Sequence, residues 1–118
     1  MEIHPLEDCG NAPKNQLVHD FCLSYLLSTC ENHDKEMVNP NGHLLDLYGS
    51  MGGKPSTRGI LQKIVLKSAI SHGKLGSVEF DTVDNHGKVH SGCIVIEFQT
   101  SAAKRIVRVT EYALESAN

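Results

Sequence analysis

Ile60-Leu61-Gln62-Lys63-Ile64-Val65-Leu66-Lys67-Ser68-Ala69-Ile70-Ser71 is the stretch on which the reading of the fold turns. Ile60, Leu61, Ile64, Val65 and Leu66, extended by Ala69 and Ile70, recur at the spacing of one helical face. Lys63 and Lys67, at i and i+4, mark its wet side. Ser56 or Thr57 is a good N-cap ahead of them. The spacing predicts a helix that runs to about residue 71.

Beyond His72-Gly73 the period changes from helical to alternating. Leu75 to Val83 alternates, and Asp84-Asn85-His86-Gly87 is a hairpin turn with Gly87 supplying a positive φ. Val89 to Phe98 is the partner strand, and a turn near Ser101-Ala102-Ala103 leads to a third strand, Arg105 to Leu114. Upstream, residues 1–12 read as an irregular arm, and Pro13 suits the first turn of a helix. Leu17, Val18, Phe21, Cys22, Tyr25 and Leu26 place one apolar face on a helix over residues 14–29, which Leu23 and Leu27 widen. Asn39-Pro40-Asn41-Gly42 is a turn, His43 to Tyr48 a short strand, and Gly49 to Pro55 a loop. Helices first and an antiparallel meander after them make the class α+β, with a single domain over residues 13–118.

The 118 residues include 40 % apolar side chains, enough for one core without disulfides or metal. No apolar run reaches the roughly 18–20 residues that cross a bilayer, so no membrane partner is expected. Glu2, Glu7 and Asp8 take the place of a basic, apolar leader, so a cytoplasmic protein with reduced thiols is expected. A net charge of −3, dispersed basic residues and no aromatic ladder argue against nucleic acid as partner. His19-x-x-Cys22 and Cys30-x-x-His33 have ligand-like spacing, but Cys22 and Cys30 on one helix stand about 12 Å apart, too far for one zinc. No metal and no other cofactor is expected. Gly49-x-x-x-Gly53-Lys54 is one residue short of a P-loop, and Pro55 replaces its hydroxyl. Lys54 and Arg58 flank the expected helix start, where a loose anion site is the alternative to the favoured reading of two solvated charges.

Two residues are placed for chemistry. Tyr25 lies on the apolar stripe of the first helix, and a buried phenol needs a partner, which a ligand oxygen can supply. Asp46 lies inside the apolar run Leu44-Leu45-Asp46-Leu47-Tyr48. Pointing inward, desolvation makes it a better base; pointing outward, it is a solvated strand residue and Tyr25 is core.

The long first helix (Gln16 to Thr29), Asp34-Lys35-Glu36-Met37-Val38 before a short strand, Gly53-Lys54-Pro55-Ser56-Thr57-Arg58-Gly59-Ile60 leading into a helix, and the closing strand Lys104 to Tyr112 together resemble the nuclear transport factor 2-like superfamily. That group includes SnoaL-like cyclases and ketosteroid isomerases, and the resemblance covers roughly residues 14–114. It implies a cone-shaped α+β barrel, N-terminal helices packed on a curved antiparallel sheet, an apolar pocket inside, and a homodimer through the sheet. Within it Tyr25 matches the oxyanion tyrosine, and Asp46 matches the catalytic aspartate in Leu45-Asp46-Leu47-Tyr48-Gly49. Ile96 falls where a second acid would lie, so half of the oxyanion hole is absent unless Glu97 or His90 substitutes. The expectation is a pocket protein for an apolar carbonyl-type small molecule, with isomerase-like proton transfer by Asp46 and Tyr25. Its expected pocket residues are Val18, Phe21, Tyr48, Ile64, His90 and Ile96. The alternative is a non-catalytic ligand-binding or protein-interaction module of the same fold.

Overall fold

A computed structural model describes residues 1–7, 12–30, 58–102 and 105–114. Its elements are β1 (Glu2–His4), α1 (Pro13–Thr29), β2 (Leu61–His72), β3 (Leu75–Asp84), β4 (Val89–Phe98) and β5 (Ile106–Leu114). The strands form one sheet in the order β1-β2-β3-β4-β5. β2 to β5 are an antiparallel meander, and β1 lies parallel to β2 at its edge, with Ile3 beside Ile64.

The stretch read as a second helix is therefore a strand. Leu61 faces Asp84 and Lys63 faces Val83, which leaves Gln62 as an extra residue; Leu66 faces Phe80 and Ser68 faces Glu79, which leaves Lys67 extra. Each bulge shifts the in–out phase by one residue. The inward set becomes Leu61, Ile64, Leu66 and Ala69, three steps spread over eight residues instead of six. That spacing imitates a helical stripe. Pairing with β3 and the β-branched Ile64, Val65 and Ile70 favour the strand.

This corrects the expected α+β cone with several N-terminal helices. Among the described residues there is one helix, of 17 residues, against five strands, and the fold is mostly sheet. The arm read as irregular also carries β1. No helix among the described residues is long and apolar enough to cross a membrane.

α1 starts with Pro13 at its first turn and packs on β2 and β3. Val18, Phe21, Cys22 and Leu26 are essentially inaccessible and meet Ile64, Val78, Ile94 and Ile96 in a single core. Each such side chain contributes about 1.5–3 kcal/mol by leaving water. Burial pushes the Cys22 thiol far above its ordinary range. Gly76 lets the helix approach, since a Cβ there would run into the Val18 side chain. At the same end Lys14 Nζ donates to the carbonyls of Gly73 and Ser101, and Ser71 Oγ donates to Asn15 Oδ1. His19 is buried in α1; its Nε2 accepts the Leu6 N–H at 3.1 Å while its Nδ1 faces Asp20 Oδ1 at 3.0 Å. That bond ties the N-terminal arm to the helix.

Candidate functional site

At its other end α1 stops at Thr29, and the sheet continues past it. Cys30 turns to extended backbone and forms a parallel bridge with Gly59. The bridge sets Arg58 against the end of the helix, where its backbone N–H donates to the Thr29 carbonyl at 2.8 Å. The guanidinium Nη1 donates to Thr29 Oγ1 at 2.6 Å, and Nη2 pairs with the Glu111 carboxylate on β5. Its Cζ lies 5.8 Å from the centre of the Tyr25 ring and 5.7 Å from that of Phe80. The Arg58 side chain is only 12 % exposed. The negative end of the helix, two π faces and a carboxylate offset what that desolvation costs.

Beside this cation opens a cavity of about 340 Å³ on the helix-facing side of the sheet, lined by Arg58, Leu61, Phe80, Thr82, His90 and Glu111 among others. Gly92 on β4 makes the room. A Cβ there would stand 2.6 Å from Phe80 Cζ, so the Phe80 ring occupies the space that a side chain at 92 would fill. The ring in turn carries Arg58. Thr82, opposite His90 across β3 and β4, is 2 % exposed and lines the cavity. His90 Nε2 donates to Asp84 Oδ2 at 3.1 Å, and Asp84 Oδ1 accepts the N–H groups of His86 and Lys88. The His90 bond, then the backbone donors, hold the Asp84 carboxyl down at about 2. The imidazole is thereby fixed at the cavity beside the β3–β4 turn.

Comparison of the chain with protein-family models, curated proteins and solved structures finds no match. The site therefore stands on its own chemistry.

Of the residues expected to act, Asp46 and Tyr48 lie outside the described residues. Val18, Phe21, Ile64 and Ile96 sit inside the core at 0–1 % exposure and do not line this cavity. His90 does line it. Tyr25 is 5 % exposed, stacks on Phe21 at 6.2 Å and lies against the Arg58 guanidinium. Glu97 points to the outer face, where it accepts from Arg108 at 3.1 Å, so it supplies no second acid inside. Among the described residues no group of three or more His, Cys, Asp or Glu could hold a metal ion.

Arg58 was read as a solvated charge, whereas its side chain is largely buried, and Thr82 and Glu111 were not among the expected residues. Two of them carry a signal in the sequence. Thr82 shares the inward phase of Val78 and Phe80, and Glu111 that of Val109 and Ala113. A polar side chain in an apolar phase marks either a satisfied core group or a site. Arg58 lacks such a signal, because what makes it special is a contact with a helix end 29 residues earlier.

Donors from Arg58 and Thr82, an imidazole and a carboxylate surround a wall of Phe80 and Leu61. Convergent polar groups around an apolar wall are the usual makeup of small-ligand sites.

Proposed function

We propose that this protein binds a small organic molecule in the cavity between Arg58, Phe80 and Thr82. The ligand has an apolar body, seated on Phe80 and Leu61, and a carbonyl-type oxygen that accepts from the Thr82 hydroxyl. The Thr82 hydroxyl carries the reading. It lies on the wall of the cavity beside Phe80 and Leu61, where it can donate to a ligand oxygen, a bond worth about 0.5–1.5 kcal/mol. Binding is favoured over turnover because the cavity's carboxylate, Glu111, is already engaged by Arg58.

Amide chemical-shift mapping with acetophenone tests this. Shifts should concentrate at Thr82, Gly92 and Ala113, and Thr82→Val, which keeps the shape and removes the hydroxyl, should weaken binding about tenfold while leaving the fold as stable or slightly more so. Shifts spread over the outer face, or an unaltered affinity in Thr82→Val, would remove the assignment.

A second reading, a protein-interaction module, is favoured by the other face of the sheet. Ile70 and Leu75 stand exposed at one end of it, and Val89, Tyr112 and Leu114 at the other. Between them Lys67 pairs with Glu79 and Arg108 with Glu97. Charges already paired within the face let a second copy of this chain close on it without stranding one. Light scattering after size exclusion should then show a dimer that Tyr112→Glu converts to monomer; a wild-type monomer at high micromolar concentration would dismiss it.

A further inference from the structure

We propose that the ligand of this cavity carries a carboxylate, which takes Arg58 over from Glu111; the inference rests on the binding reading above. Arg58 has several supports, and they differ in kind. The Thr29 hydroxyl and carbonyl, the Tyr25 ring and the Phe80 ring belong to buried, packed elements. Glu111 does not. It projects from β5, the last strand of the sheet, and its side chain is 29 % exposed. Among the described partners it is the one that can leave without unpacking anything.

The guanidinium is a planar fork with five N–H donors and matches a carboxylate two bonds at a time. Thr29 takes one donor at Nη1, and Glu111 occupies Nη2. An incoming carboxylate replaces one anion by another, so no charge is left bare in the cavity at any stage. Glu111 turns toward water from its edge position. A neutral ketone or amide has no charge with which to displace it. Thr82 then donates to the second carboxylate oxygen or to a neighbouring one, and Phe80 and Leu61 hold the body. A cavity of about 340 Å³ lies at the small end of ligand sites and suits an acid with one ring.

Glu111 thus acts as a resident counter-ion that keeps the empty site neutral and ranks acids above uncharged compounds, which bind beside Thr82 without displacing it. The test is a calorimetric and amide-shift titration with phenylacetate and with phenylacetamide, its uncharged counterpart. Phenylacetate should bind at least about tenfold tighter than the amide. Glu111→Gln should tighten phenylacetate a further several-fold, since the competing anion is gone, and leave the amide unchanged. Arg58→Lys, which keeps the charge and loses the fork, should weaken the acid by about tenfold. Equal affinity for acid and amide at the Thr82 and Gly92 amides, or weaker acid binding in Glu111→Gln, would overturn the carboxylate assignment and leave the cavity as a binding site. Absence of shifts at those amides with either probe would overturn the binding reading itself, and this inference with it.

Discussion

The two ends of α1 meet the same sheet in opposite ways. At the Pro13 end the helix is drawn down until Val18 rests on Gly76, and Lys14 and Asn15 fasten it to both turns beneath. At the Thr29 end the helix stops short, and an arginine from the next described segment fills part of the gap. A glycine serves each end. Under Val18 the missing side chain admits the helix; at Gly92 it admits a ring of the sheet itself, which lies down and leaves a hollow above. Whether a glycine closes a core or opens a pocket depends on which element moves into its space.

Gly76→Ala should give the largest effect that separates the ends. The added methyl meets Val18 in the tightest part of the core, where neither helix nor strand can yield, and overpacking of this kind costs about 3 kcal/mol. Urea unfolding followed by far-ultraviolet circular dichroism measures it, and a loss below that of an exposed substitution would break the contrast. Gly92→Ala should cost less, about 1–2 kcal/mol, because its severe contact is with the tip of the Phe80 ring beside an open cavity, the Tyr112 carbonyl oxygen standing off at 3.1 Å. Its sharper mark is on binding: the displaced ring enters the cavity and acetophenone binding falls. Destabilisation by Gly92→Ala with unaltered binding would detach the glycine from the pocket.

The smallest effect concerns the turn beside the cavity. Asp84 titrates at about 2 in the folded chain, below the usual 3.8. A lowered folded value contributes stability above the unfolded one, and that contribution drains away as pH falls through about 2. Asp84→Asn should therefore be slightly less stable than wild type at neutral pH, and the two should converge in acid. Urea midpoints at pH 7 and pH 2 compare them; a gap that persists in acid would assign the difference to the turn's backbone bonds alone.

Much of the sheet was legible because β3 and β4 keep unbroken alternation and β5 slips only once, at Val107, and β4 begins and ends where its residues said. α1 was legible from its stripe and from Pro13. β2 was not. Its bulges at Gln62 and Lys67 shift the phase twice, and period alone then votes for a helix. Only the partner strand reveals those bulges, and partners are tertiary information. β1 was hidden for a related reason: three residues gain strand character from an edge some 60 residues away. At the site, Tyr25 was named from its local character and His90 from the resemblance, and both border Arg58 or the cavity it lines. Thr82 and Glu111 were readable in principle as polar residues in an apolar phase. The helix-first interpretation turned attention to Asp46 instead, which lies outside the described residues.

Cys22 gives the helix–sheet contact a clock. Its sulfur is sealed under α1 and held as the unreactive thiol, whereas Cys93 sits half-buried on the far face beside Ser77. An alkylating reagent reaches Cys22 only in the moments when the helix lifts away. The pace of its labelling counts those openings one by one, and a ligand that clasps the Thr29 end of α1 slows the count.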